Sequence, residues 1–281
     1  VRVLDQLISG IKKMLSFNSI GNLGRIGNQM FQYATLKGIS RNRGYDFCIP
    51  PRTYFGVNDD NVKSSDLIMY DLFHIEETNN MSLGNFSRLP ERMFSFDSEL
   101  FINCPDNIDL FGYYQCEKYF EHIEDEIRKD FTFKKEIQEV SKQCFDQLFE
   151  SSDVISLHVR RGDYTTNPNH PVQTLEYYQK ALEYFDKDIP VCIFSDDSDW
   201  CHEQKIFESD RFFISDTKNT GIDLCLMTMC TYHIIANSSY SWWGSYLANS
   251  KKTVSPSDWF GDELKRTKDI KDLYRKGWEI I

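Results

Sequence analysis

The chain has 281 residues, 41% of them hydrophobic and 15% aromatic, and a formal net charge of -11. That length suits two domains or one large one, and the apolar fraction supports a packed core and excludes a disordered chain. The acidic balance speaks against a nucleic-acid binder with a basic face, yet an acidic enzyme still takes an anionic substrate if a few Arg residues share one cleft.

The eight Cys include no CxxC pair, so a zinc ribbon is not expected. Several sit in apolar runs such as Val191-Cys-Ile-Phe194, which reads as free core thiols in a reducing compartment. The even count leaves a disulfide reading open. No run approaches the roughly 18 apolar residues of a membrane span, and no signal-peptide core is visible. A cytoplasmic location is expected, with peripheral membrane association left open. Residues 1–13 read as an amphipathic N-terminal extension, and Met14 is a candidate natural start.

In chain order, Leu15–Ile20 reads as a strand, Gly21–Gly27 as a glycine-rich turn, and Asn28–Arg41 as a helix. Strand, glycine turn and helix open a Rossmann-like unit. Residues 50–110 are irregular and rich in Asn, Asp and Ser. Asp109–Tyr114 is a further expected strand, and residues 117–150 are charged and helical. From there short apolar strands at 153–159, 190–194, 211–214, 233–236 and 253–254 alternate with helices at 175–186, 199–208, 223–230 and 241–249. This alternation indicates a parallel sheet covered on both faces, whose ligands sit beyond the carboxyl ends of its strands. The expected organisation is an extension at 1–13, an acceptor-side Rossmann-like domain at 14–148, and a second Rossmann-like domain at 149–281 that binds the nucleotide sugar.

The strand ends select the residues of interest. Gly24-Arg25-Ile-Gly-Asn28-Gln29 follows the first strand without Walker or dinucleotide spacing, so it also fits a plain tight turn. His158-Val-Arg160-Arg161-Gly-Asp163-Tyr164 places two Arg at one strand terminus. Arg is rarely buried unpaired, and its fork matches phosphate oxygens, although one Arg bracing on Asp163 would also explain the pair. His158 alternates with Arg160 and projects to the same side. Ser195-Asp196-Asp197-Ser198-Asp199 has three readings: a helix cap, a partner for ribose or base, or a metal-binding DxD. Asn237-Ser-Ser239-Tyr-Ser241-Trp-Trp-Gly244 offers small hydroxyls at a helix start, suited to capping or to phosphate and ribose. Trp242 and Trp243 read as core rather than as sugar platforms.

Five runs together carry a resemblance: Gly24–Ala34, Gly112–Tyr119, His158–Tyr164, Phe194–Asp197 and Asn237–Gly244. In this order they resemble the α-1,2-fucosyltransferases of glycosyltransferase family 11. Residues 1–13 depart from that pattern, since the family starts with a short strand at its initiator Met. The resemblance implies a GT-B arrangement, two Rossmann-like domains facing across a cleft, with GDP-fucose held mainly by the second. It implies inverting transfer to the 2-hydroxyl of a galactose-containing glycan, with no metal or other cofactor. It also implies that Arg160 holds the diphosphate with Arg161 beside it. His158 would hold the guanine, Asp197 would also contact the base with Asp196 among the donor-binding residues, and Ser239 and Ser241 would lie near ribose and phosphate. Arg25 and Asn28 would reach in from the first domain.

Departing GDP gains negative charge, which a divalent cation or fixed cationic donors must stabilise, and an Arg pair supplies the latter. The acceptor hydroxyl needs a base. Asp163 is the candidate, being the carboxylate nearest the Arg pair in sequence, with Glu176 and His170 as alternatives. Two other readings stand beside this one: a metal-dependent transferase using Asp197-Ser198-Asp199, and a non-catalytic nucleotide-sugar or glycan-binding module.

Overall fold

The computed structural model describes residues 13–51, 67–75, 86–149 and 153–281. The amphipathic extension expected at 1–13 lies, apart from Lys13, outside these residues, as does much of the irregular stretch at 50–110. The chain divides into two compact units: a first that runs to Thr132 and takes in Asp269–Leu273, and a second of Phe133–Lys268 and Tyr274–Ile281.

In the first unit, β1 (Met14–Ser16), β2 (Asp46–Cys48), β3 (Ser87–Pro90) and β4 (Ile108–Phe111) form a parallel sheet in the order β2-β1-β4-β3. Helix α1 (Ile26–Arg43) connects β1 to β2 and is buried over most of its length. It ends at Gly44, whose φ of 67° lies in the left-handed region and lets its N–H reach the carbonyls of Arg41 and Ser40. Short helices α2 (Met69–Leu72), α3 (Ser98–Asn103) and α4 (Glu124–Asp130) complete the unit. The strand expected at 15–20 is shorter because Ser16 Oγ and the Asn18 amide both turn to Asp109 Oδ1, at 3.0 and 2.8 Å. Asp272 returns to this unit by accepting from the Phe96 amide (2.9 Å) and from Lys118 Nζ (2.5 Å).

The second unit holds α5 (Lys135–Leu148), β5 (Ile155–Val159), α6 (Leu175–Leu182), β6 (Val191–Ser195), α7 (Ser198–His202) and β7 (Phe212–Ile214). It continues with α8 (Thr220–Met229), β8 (Tyr232–Ile234), α9 (Ser239–Leu247), β9 (Lys252–Ser255), α10 (Asp262–Thr267) and β10 (Glu279–Ile280). Its six strands are parallel in the order β10-β9-β8-β5-β6-β7. Counted from β5 as the first strand this is the Rossmann order 3-2-1-4-5-6. All five residues of β5 are buried, as a central parallel strand covered on both faces requires. Ile155, Leu157 and Val159 pack with Tyr178, Val191, Ile193 and Ile234 in its core.

The boundary expected at 148/149 falls instead at Thr132/Phe133. The reason is α5, which packs along α8 and so belongs to the second sheet. All eight Cys are free thiols, seven of them buried, as their apolar contexts imply. Trp242 and Trp243 are fully buried, with ring centroids 5.0 Å apart at 70°, and are core. Among the described residues no helix is long and apolar enough to cross a membrane.

Candidate functional site

The order of the second sheet reverses between β5 and β8, and the crevice beyond the carboxyl ends of such a pair is where this fold binds ligands. What fills it follows from strand register. β5 pairs with β6 so that His158 faces Phe194 and Val159 faces Ser195. Carried past the strand ends, that register would set Arg160 against Asp196 and Arg161 against Asp197. The ion pairs continue that register: Arg160 Nη1 donates to Asp196 Oδ2 at 2.5 Å, and Arg161 Nε to Asp197 Oδ2 at 3.0 Å. The Arg161 amide also donates to Asp196 Oδ1 at 2.9 Å. Asp196 and Asp197, expected beside ribose or base, are thus the fasteners of the Arg pair.

Asp163 completes the clamp by accepting from Arg160 Nη2. The Arg160 side chain is only 14% exposed, whereas that of Asp163 is 54% exposed. The cation is therefore partly desolvated, which strengthens its hold on an anion, while the carboxylate keeps access to solvent. Gly162 makes this possible, since a Cβ there would overlap the Asp196 carboxylate. Each guanidinium also rests on an aromatic ring, Arg160 over Tyr164 at 5.0 Å and Arg161 over Trp200 at 4.1 Å. Tyr164 stacks in turn on His170, with centroids 4.9 Å apart at 19°, and donates to the Asn237 carbonyl at 3.2 Å. Burial lowers the pKa of His170, which favours a neutral ring in that stack.

His158 is buried, and its Nδ1 lies 2.9 Å from Ser241 Oγ in the first turn of α9. Burial first, and the Arg160 charge second, push its pKa down to about 3, so the imidazole is neutral at physiological pH. A neutral imidazole here is a hydrogen-bonding group and not a second cation. Ser238 caps α9 by accepting from the Tyr240 amide at 3.3 Å. Ser239 is the first residue of that helix.

Two alternatives from the sequence find their places here. In the Asp197-Ser198-Asp199 run, Asp197 Oδ1 caps α7 by accepting from Trp200 N at 3.2 Å, and Oδ2 takes Arg161. Both oxygens of Asp197 thus already serve a cap and an ion pair. Glu176 is exposed in the first turn of α6, where its own backbone amide and the Thr174 hydroxyl lower its pKa. The helix start engages it, whereas Asp163 pairs with Arg160 beside Asp196.

Arg25 and Asn28 belong to the first unit, at the start of α1. Arg25 is exposed at the N-cap position and makes no side-chain capping bond. Asn28 Oδ1 accepts from Gln115 Nε2 at 2.7 Å, which ties the glycine turn to the Gly112–Tyr119 run. Gly24 is required at this point: its φ is 85°, and a Cβ would overlap the Asn28 carboxamide. The aromatic rests under Arg160 and Arg161 were not marked as site residues by the sequence. Tyr164 lay inside a quoted motif, but Trp200 gave no signal before register placed it.

Comparison with known proteins agrees with this architecture. A family profile described as Glycosyl transferase family 11 matches residues 5–281. An alpha-1,2-colitosyltransferase of Escherichia coli is 30% identical over 271 residues, covering 85% of this chain and 91% of that protein. A galactoside alpha-(1,2)-fucosyltransferase 2 of Bos taurus is 25% identical over 256 residues, covering 86% of this chain and 71% of that protein. The solved structure of NodZ alpha-1,6-fucosyltransferase co-crystallized with GDP superposes with a TM-score of 0.56 at 15% identity, covering 88% of this chain and 96% of that one. That last likeness is one of fold, the α/β class of GT-B type. The chain belongs to glycosyl transferase family 11 and is a glycosyltransferase.

Proposed function

We propose that this glycosyltransferase moves L-fucose from GDP-fucose to the 2-hydroxyl of a galactose-containing glycan, forming an α-1,2 linkage with inversion. The observation that carries the reading is the Arg160–Arg161 pair at the switch point of the second sheet, clamped by Asp163, Asp196 and Asp197. The similarity to the bovine galactoside alpha-(1,2)-fucosyltransferase 2 and to the GDP-bound NodZ alpha-1,6-fucosyltransferase supports the same donor class.

In this reading Arg160 faces the diphosphate, with Arg161 beside it and the hydroxyls at the start of α9 nearby. The bond between the sugar C1 and the β-phosphate oxygen breaks, and its electron pair leaves with GDP. A guanidinium already fixed by carboxylates and an aromatic ring stabilises that charge without reorganising as the bond breaks. The acceptor oxygen forms its bond to C1 from the opposite face, and its proton passes to Asp163. Arg160 pairs with Oδ1 of Asp163, and the half-exposed carboxylate offers Oδ2 to the hydroxyl. Neutral His158, with Asp196 and Asp197, borders the nucleoside side. Arg25 and Asn28 are proposed to contact the donor from the first unit.

A second donor is favoured by one observation, the 30% identity to an alpha-1,2-colitosyltransferase. Colitose is fucose lacking the 3-hydroxyl, so the same diphosphate and base chemistry serves both. The deciding experiment offers the purified protein GDP-fucose or GDP-colitose with lactose as acceptor, with EDTA or with Mn²⁺ and Mg²⁺. The linkage of the product is read by NMR. Fucosyl transfer that survives EDTA is expected. Preferential turnover of GDP-colitose would give the second reading. Loss of turnover in EDTA and its return with metal would move Asp197 from fastener to metal ligand.

A further inference from the structure

Beyond β4 of the first unit, the run Gly112-Tyr-Tyr-Gln-Cys116 is held by more bonds than a surface connection needs. The Glu91 carboxylate accepts from the Tyr113 amide at 2.8 Å and the Tyr114 amide at 2.9 Å. The Gly112 carbonyl accepts from Gln32 Nε2 at 3.0 Å, and the Tyr114 carbonyl from Thr35 Oγ1 at 3.4 Å. Gln115 donates to Asn28 at 2.7 Å. A side chain at Gly112 would overlap that of Glu91, so the carboxylate reaches these amides only because residue 112 is glycine.

Tyr114 has a φ of 50°, a left-handed conformation that a bulky residue adopts only when its surroundings impose it. The turn drives the Tyr114 ring inward, where it is 1% exposed and meets Phe17 and Tyr119 edge-on, each with centroids 5.8 Å apart. The same turn leaves Tyr113 outside at 40% exposure. It is the one aromatic among the strongly exposed large apolar side chains of the described residues. Strained backbone of this kind clusters at ligand-binding and active sites. This loop also stands at the carboxyl end of β4 next to β1, in a sheet ordered β2-β1-β4-β3, where parallel sheets bind ligands.

A rigid exposed phenol ring, with carboxamides on its own loop and on the adjoining helix start, is the chemistry that recognises a pyranose. The ring takes the apolar C–H face of the sugar, and the amides take its hydroxyls. We propose that Tyr113 is the platform of an acceptor-sugar subsite in the first unit, and that Glu91 is the residue that holds the platform in place. The proposal rests on the reading that the acceptor is a galactoside.

The test is the split between the two substrates' KM values for Tyr113→Ala, Tyr113→Phe and Tyr113→Trp, with GDP-fucose and lactose. Tyr113→Ala should raise the lactose KM roughly ten-fold, the size of one aromatic stacking contact, with the donor KM unmoved. Phe and Trp should restore the lactose KM to within about two-fold, since both keep a ring face. An unchanged lactose KM in Tyr113→Ala, or an equal rise for the donor, would overturn the subsite. Saturation-transfer NMR with lactose alone keeps this apart from the identity of the donor. Signals present with the native protein and lost in Tyr113→Ala support the subsite even if GDP-fucose is not turned over. No transfer of saturation to lactose in the native protein would overturn it.

Discussion

Beyond β5 of the second unit, two guanidinium groups stand on aromatic rings and are fastened by three carboxylates. Beyond β1 and β4 of the first unit, the fastening runs through amides: Gln32 to two carbonyls, Gln115 to Asn28, and Glu91 to two backbone N–H groups. The two places are topologically alike, each at the carboxyl edge of a parallel sheet, and chemically unlike. One sets two guanidinium groups among three carboxylates, and in the proposed reading it takes a diphosphate. The other presents carboxamides and one exposed ring beside Arg25 and Glu91, and in the proposed reading it takes a sugar. In the proposed reading the place in the second unit takes an anion in a chain of net charge -11 through the directed donors of Arg160 and Arg161, not through net local charge, since three carboxylates stand beside them. Carboxylates in the two places also differ in task, orienting cations in the second unit and shaping backbone in the first.

The sharpest break of this comparison is Asp163, which is assigned two tasks at once. Asp163→Asn should lower the single-turnover rate by roughly 100- to 10,000-fold, the span of a lost general base. Calorimetric affinity for GDP should change little, because Asn keeps the size and an oxygen for Arg160. If affinity and rate fall in parallel, Asp163 is only a fastener like Asp196, and the base has to be sought elsewhere. Next in size is Arg160→Ala, for which a loss of roughly 100- to 1,000-fold in turnover is expected from a missing transition-state donor. Arg160→Lys should fail as well, since an ammonium cannot bridge Asp163, Asp196 and a phosphate with one fork. A folded Arg160→Ala protein with near-native turnover, both checked on one sample, would end the phosphate role.

The alternation of the second unit was plain in the sequence because short apolar runs such as those of β5, β6 and β7 lie between polar turns. The elements that escaped lack that contrast. β3 is Ser-Arg-Leu-Pro with three of four residues exposed, and β10 is two exposed residues near the chain end. β2 begins on an exposed Asp and has one buried residue. In the site, Arg160, Arg161, Asp163, Asp196 and Asp197 were all visible as candidates, yet which carboxylate meets which guanidinium was not. The Asp163 contact is local, and an Arg bracing on it was an expectation; the Asp196 and Asp197 pairings follow from the register of β5 against β6, a tertiary fact that no local pattern encodes. The same holds for Glu91: it lies 22 residues from Tyr113, and only the pairing of β3 with β4 brings it to that amide.

The smallest expected effect concerns stability and separates the units by pH. The second sheet buries two histidines, His158 in β5 and His233 in β8, whose pKa values burial lowers to about 3 and about 4. His233 Nε2 lies 3.0 Å from the Met227 carbonyl, and its Nδ1 has no partner among the described residues. Both rings are therefore neutral when folded and gain a proton near pH 6.5 when unfolded. The sign follows from that order. Their stabilisation is complete above about pH 6.5 and is lost as the pH falls toward the folded values, because the unfolded chain binds protons first. For His233 the loss approaches about 1.4 kcal/mol per pH unit and about 3 kcal/mol in all by pH 4. Hydrogen exchange at pH 7 and pH 5 should show amides of β5 and β8 losing more protection than those of β1 and β4. His233→Gln, which carries no titrating group, should lessen the pH dependence of the second unit, leaving the part due to His158, and leave the first unchanged. Equal acid sensitivity of the two sheets, or a slope untouched in His233→Gln, would show that the buried imidazoles do not set it.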